Sequence, residues 1–558
     1  MDSLKSVLYL IVLISCSCKG EQGQKPIVNT SLGKIRGFIL ATRLGNPIYS
    51  FTSIRFAKAP VNNLRFQPPV PVDRWDGIYD ATKPGPVCPQ PNNKNSSEDC
   101  LMLNVYTNEL PTNGKEVRKP VVVFFHPGGF YAYTGAIYMF GPQYLLDEDI
   151  VLVTANYRLG SLGFLSTGTK EAPGNNGFKD QVVVLKWIRD HIKVFGGDPD
   201  MVTLSGYSAG AVSTTLHMIS PMSRGLFHRA IVMSASGLGH STLPTNQYDL
   251  AQKQARLLNC TDDSPTNIIN CLKTKTAQEI ADTLPGFREV GPDPILIWRS
   301  VIEPDFGQER FLTEHPVTSA IHGRFVKIPV MLGITELEFG YVSNNAVRFQ
   351  DFLDLLTNDY RRILPIIFNY ERNTSRSNEI SDTLKRFYLG DGVVGNTTHT
   401  KDGIEYLYAD GTTGFSVNRA TKLIADKNTE STYYYCFTYR GRHSFYYLPD
   451  TNNTQTAGAV HHDDLMYLFY MSSLFPHITR NDPEWETVNR YVKIWTNFVK
   501  TGNPTPNHSS VLNNIHWMPY SKESPKYLEI GDDLKLKENL YENRYQVWEK
   551  QFPLSNYV

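Results

Sequence analysis

No surplus of charge marks this sequence: Lys+Arg and Asp+Glu both count 55, and no long block of like sign interrupts the mixture. The basic footprint that nucleic acid or an anionic membrane surface requires is missing, which excludes both as main partners. Internal repeats, low-complexity tracts and a Pro/Ser-rich linker are missing as well, so the chain reads as one domain rather than an array. Beyond the first residues no apolar run reaches the ~20 residues of a membrane span. The C-terminal QFPLSNYV is neither a hydrophobic anchoring tail nor an ER-retention signal.

What is present begins with an export signal. Lys5, the apolar core SVLYLIVLIS and the small-residue exit CSCKG predict cleavage after Gly20, with 21–558 as a single domain. Cys16 and Cys18 leave with that leader. Among the remaining cysteines, Cys88 with Cys100 and Cys260 with Cys271 close short loops, and each disulfide contributes ~2–4 kcal/mol by restricting the unfolded chain. Cys436 lies in the apolar run TYYYCFTY and reads as a buried free thiol. Asn29, Asn95, Asn259, Asn373, Asn396, Asn452 and Asn507 stand in N-x-S/T sequons, acceptors suited to a secretory route. A soluble, extracellular protein without a stable membrane anchor is expected.

The interior alternates between two periods. VVVFF (121–125) and IVLVTANY (150–157) read as buried strands, and HRAIVMSAS and KIPVMLGIT as further ones. Val182, Leu185, Ile188, Ile192 and Phe195 recur at helical spacing, as do Val488, Tyr491, Trp495 and Phe498 before TGNP. Strand, helix and strand in this rhythm predict an α/β fold: a mostly parallel sheet covered by helices on both faces, with long insertions.

The stretch VTLSGYSAG (202–210) ends a strand in G-x-S-x-G. A serine hydroxyl is a poor nucleophile until a base takes its proton, an acid orients the base, and donors await the oxyanion. A sharp strand-to-helix turn would lift Ser208 above the sheet, with the Ala209 N–H facing the same space. Gly128 and Gly129, after the strand in VVVFFHPGGF, offer further bare N–H groups. Downstream, IPVMLGIT runs into ELEFG, with Glu336 and Glu338 as acids, and GAVHHDDL offers His461 and His462 as bases. Serine, acid and histidine thus follow at later strand ends in the chain order of this fold. Spacing alone leaves both pairs open.

These pieces, with SFTSIRFAKAP, SSEDCLMLNVYT, ANYRLGSLGFLST, HMISPMSRGLFHRAIVMSAS and WTNFVKTGNPTP, resemble the cholinesterase/type-B carboxylesterase family of α/β-hydrolases along nearly the whole mature chain. The nearest resemblance is to secreted insect carboxylesterases, the venom kind included. In that family the acid lies five residues after the strand-ending glycine, which from Gly333 implies Glu338. The histidine lies three after a glycine, which from Gly458 implies His461. Asp464 falls where the family carries a buried acid behind the histidine. The resemblance also supports the two disulfide pairs. It implies a deep gorge, with Gly128, Gly129 and Ala209 as oxyanion hole and Phe130 and Tyr131 near its wall.

The chain departs from the family at Pro127, where a third glycine is usual, so one donor is lost. It departs again at Tyr207 before the serine and at Phe339 after the acid, where glycine is frequent. No tryptophan lies between Cys88 and Cys100, so the aromatic face that holds a choline cation is missing and an acetylcholine-specific enzyme is not expected. The resemblance implies a secreted serine carboxylesterase acting on a small-molecule ester through Ser208, Glu338 and His461 and an acyl-enzyme, without metal or organic cofactor. The alternatives are a catalytically silent adhesion or binding ectodomain of the same fold and, among enzymes, a lipase.

Overall fold

The computed structural model describes residues 25–112, 114–241, 243–341, 349–447 and 458–558. The leader 1–20, with Cys16 and Cys18, and the Asn452 sequon lie outside the described residues.

An 11-stranded sheet organises the chain. Its strands are β1 (Phe38–Ala41), β2 (Pro47–Arg55), β3 (Met102–Thr107), β4 (Lys119–Phe125), β5 (Val151–Ala155), β6 (Gly197–Tyr207), β7 (Arg229–Met233), β8 (Val330–Thr335), β9 (Thr432–Phe437), β10 (Lys526–Ile530) and β11 (Leu534–Glu538). They lie side by side in the order β1-β2-β3-β5-β4-β6-β7-β8-β9-β10-β11. From β5 to β10 every pairing is parallel; β1, β2, β3 and β11 pair antiparallel at the two edges.

The apolar runs of the central strands follow from burial on both faces. In β4, Val121, Val123 and Phe125 join one core while Val122 and Phe124 join the other. Ala230 and Val232 of β7 divide in the same way from Ile231 and Met233. Because successive side chains point to opposite faces, a strand covered on both sides must be apolar at every position, and period-2 alternation disappears.

Helices supply the covers. On the first face, α1 (Asn176–His191) packs Phe178, Val182, Leu185 and Ile188, and α2 (Ala209–Ile219) packs Ala211, Leu216 and Met218. Ile192 and Phe195 continue the α1 stripe in a 3₁₀ turn. Helices α3 (Tyr360–Phe368), α4 (Ser375–Leu389), α5 (Thr398–Ala409) and α6 (Phe415–Lys427) lie in the insertion between β8 and β9. The opposite face is closed by α7 (Trp485–Thr501), whose Val488, Tyr491, Trp495 and Phe498 face inward and whose end is set by left-handed Gly502.

Disulfides join Cys88 to Cys100 and Cys260 to Cys271, while Cys436 is buried and free. Asn29, Asn95, Asn259, Asn373, Asn396 and Asn507 are all exposed. Among the described residues no helix is long and apolar enough to cross a membrane.

Candidate active site

Ser208 stands between β6 and α2 with φ 53° and ψ −116°, a backbone conformation that costs a non-glycine residue energy and is kept only where its surroundings enforce it. Three backbone hydrogen bonds enforce it here. The Ser208 N–H donates to the Met233 carbonyl at 2.8 Å, and its carbonyl accepts from Ala211 and Val212 at 2.9 Å. The turn is also too tight for side chains at its glycines. A Cβ on Gly206 would lie 2.1 Å from the Gly210 carbonyl oxygen, and one on Gly210 1.9 Å from that of Phe125. Both obstacles are backbone, so G-x-S-x-G is here a packing requirement.

The first-turn N–H of α2 at Ala209 points its partial positive charge toward the serine end of the helix. Across from it, Gly128 has φ 111° and Gly129 φ 56°. Among the described residues neither glycine N–H meets a protein acceptor. The loop is anchored elsewhere: the Gly128 carbonyl accepts from Tyr131 at 2.9 Å and Ala132 at 3.0 Å. His126 Nδ1–H donates to the Pro127 carbonyl at 2.7 Å, and the Tyr157 hydroxyl donates to the His126 carbonyl at 2.9 Å. Pro127 is thus held as an acceptor. Gly129, Ala209 and Ser208 line one cavity, whereas Gly128 does not reach its lining. Phe130 and Tyr131 stand behind that lining: Phe130 packs on Phe164 and Phe178 in the core, and the Tyr131 ring lies against Gly129, 2.6 Å from where a Cβ there would stand.

Glu338 and His461 meet through a backbone device. Leu337 and Val460 form an isolated parallel bridge, with the Leu337 N–H donating to the Ala459 carbonyl at 2.8 Å. The next residues, Glu338 and His461, are thereby set against each other, and His461 Nδ1 contacts Glu338 Oε2. Glu338 Oε1 accepts the Thr335 N–H at 2.9 Å. The neighbours that spacing left open go elsewhere: Glu336 pairs with Arg440 at 3.1 Å, and His462 packs between Tyr207, Tyr133 and Phe445.

His461 is held on two sides. The Tyr207 ring lies 5.0 Å from it, and Phe339 stacks on it at 4.2 Å with 22° between the planes. Phe339 adopts φ 57°, the left-handed region glycine favours. Phenylalanine accepts that strain and gains a contact with the imidazole while lining the cavity of Ser208. The Tyr207 hydroxyl accepts the His462 N–H at 2.7 Å. Asp463 ties the same loop, accepting from Val460 N–H at 2.9 Å, Phe445 N–H at 2.8 Å and Ser444 Oγ at 2.7 Å. Behind them Asp464 is fully buried and accepts the Tyr491 hydroxyl at 3.1 Å.

Burial governs the titration of this cluster, because a charge removed from water is disfavoured. It pushes Glu338 up to about 7 and lowers His461 to about 3. Burial, and then the nearby Glu338, raises Asp464 to about 7. Glu338 and His461 touch and so titrate as a pair. Once the pair takes up a proton, the imidazole Nε2 lone pair is gone. The proton sits either there directly or on Glu338, with the ring proton moved to Nε2. A base at this position is therefore present above the pair's step and lost as pH falls through it.

The cavity, with about 780 Å³ of space including its mouth, is walled by two insertions. Ala235, Gly239, His240, Ile295 and Arg299 come from the segment between β7 and β8; Ile367, Phe368, Thr412 and Ser416 come from that between β8 and β9. Among the described residues no group of His, Cys, Asp and Glu is arranged to hold a metal ion.

The Carboxylesterase family model matches residues 24–548. Esterase E4 of Myzus persicae is 35% identical over 527 residues, covering 92% of each chain. Venom carboxylesterase-6 of Apis mellifera is 29% identical over 556 residues, covering 97% of each. Among solved structures, juvenile hormone esterase from Manduca sexta with OTFP covalently attached superposes with a TM-score of 0.83 at 27% identity, covering 95% of this chain and 100% of that one.

Proposed function

The chain belongs to the carboxylesterase family, and from that premise we propose that this carboxylic-ester hydrolase is a secreted serine esterase working through an acyl-enzyme. The observation that carries the reading is the Glu338–His461 contact, with the His461 ring 5.0 Å from that of Tyr207, the residue before a serine held in a strained turn at the cavity wall. His461 Nε2 takes the proton from Ser208 Oγ as the oxygen attacks the ester carbonyl carbon. Glu338 keeps the ring proton on Nδ1 and stabilises the imidazolium that forms. The N–H groups of Ala209 and Gly129, which line the cavity, receive the oxyanion, each typically worth ~2.7–4 kcal/mol of barrier; Gly128, set back from the lining, completes the hole only if a bound ester draws its free N–H inward. The alcohol leaves with the proton from His461. Water, deprotonated by His461, then attacks the acyl carbon, and the acid departs from Ser208. No step calls for a metal or organic cofactor. That OTFP is covalently attached in the Manduca sexta esterase supports a covalent route here.

Export of 21–558 after removal of the leader 1–20 is supported by two disulfides and by exposed sequons. The small-molecule ester enters the cavity between the two insertions.

A pH–rate profile on a soluble neutral 4-nitrophenyl ester tests the base. kcat/KM is expected to be level only well above pH 7, the value to which burial pushes Glu338, because near that pH the pair is already half protonated. On the acid side of this single step it falls about tenfold per unit. A rate that rises toward acid contradicts a histidine base.

A further inference from the structure

Arg299 lines the cavity that holds Ser208, and among the described residues no side chain neutralises it. Its Nη1 is sealed from solvent and has no hydrogen-bond partner, and among the described residues no carboxylate stands within ion-pair distance of its guanidinium. Only its backbone is tied, through the carbonyl that accepts from Gln247 Nε2 at 2.7 Å. Neighbouring charges make the position more positive. Arg372 lies near Arg299 and Arg419 near His240, but each has its own acid, Glu289 at 2.9 Å and Glu549 at 3.2 Å. Among the described residues the one anion that Arg299 senses is the exposed Asp249, and the two form no pair. His240, beside it, donates Nε2–H to the Phe368 carbonyl at 2.7 Å and so adds no negative charge. Among the described residues no Asp or Glu lines the cavity.

A half-buried guanidinium with one nitrogen sealed from water and unpartnered is costly, and such a group is retained where something else supplies the anion. Its fork geometry matches a carboxylate better than any other common ester substituent. We infer that the substrate of this site is an ester whose acyl or alcohol part carries a carboxylate, and that Arg299 pairs with it while Ser208 attacks the ester carbonyl. The inference rests on the serine-esterase reading above and adds the substrate class.

The test compares kcat/KM for 4-nitrophenyl hemiesters of succinic, glutaric, adipic and suberic acids with that for the neutral 4-nitrophenyl ester of the same chain length. A parallel set places the carboxylate on the alcohol, as butyrate esters of ω-hydroxy acids against butyrates of plain alcohols. In one set the wild-type enzyme is expected to favour the anionic ester by more than about tenfold, with an optimum chain length that reads the reach from Ser208 to Arg299. Arg299→Met brings the anionic-to-neutral ratio to about 1, while Arg299→Lys keeps part of it. If Arg299→Met does not fold, the wild-type ratio and its decline with added salt still decide the matter. A ratio at or below 1 in both sets, or one that survives Arg299→Met, overturns the inference. Hydrolysis of the neutral esters by the wild type reports separately on the serine-esterase reading.

Discussion

Replacing Ser208 by alanine is expected to lower kcat toward any accepted ester by on the order of a millionfold, the loss found when a nucleophile acting in concert with its base is removed. The residue that remains has the same Cβ and the same φ of 53°. The contacts that hold the turn, from the Ser208 N–H to Met233 and from Ala211 and Val212 to the Ser208 carbonyl, are made by backbone. The thermal midpoint should therefore hardly move. Rates are read with a chromogenic ester and folding by calorimetry on the same preparation. A variant that keeps more than about a hundredth of the activity shows that Ser208 is not the nucleophile.

The second large effect separates two acids that differ by two positions. Glu338→Gln keeps the size of a side chain that is 1% exposed but replaces the carboxylate that receives His461 Nδ1–H. The amide can donate to Nδ1 and so stabilise the wrong tautomer, and a loss of about 10⁴-fold in kcat is expected. Glu336→Gln breaks only a solvent-open ion pair with Arg440, an interaction worth ~0–1 kcal/mol, and leaves the rate within about twofold. Equal losses in the two variants, or a larger loss in Glu336→Gln, refute the assignment of Glu338.

The central sheet was legible in the sequence because burial on both faces leaves a strong trace: 121–125 and 150–157 are apolar without alternation, and α1 and α7 keep clear 3.6-residue stripes. The choice of acid and histidine was legible only through family register. Residue type and spacing allow Glu336 with His462 as well as Glu338 with His461, and what separates them is the single bridge from Leu337 to Val460. Long-range pairings of this kind leave no local signal. Phe339 was visible as a residue where glycine is frequent, but its stacking on His461 depends on the fold. Arg299 gave no sign at all: its meaning lies in partners it lacks, and those are set by two insertions that meet only in three dimensions.

Treatment with a small organophosphate, followed by mass spectrometry of the digested protein, reads the attacking atom itself. One dialkylphosphoryl adduct per chain is expected, on the peptide that contains Ser208, growing in step with the loss of esterase activity. Complete inactivation with that peptide unmodified, or an adduct that tracks inactivation on any other residue, would remove Ser208 from the reaction and the mechanism with it.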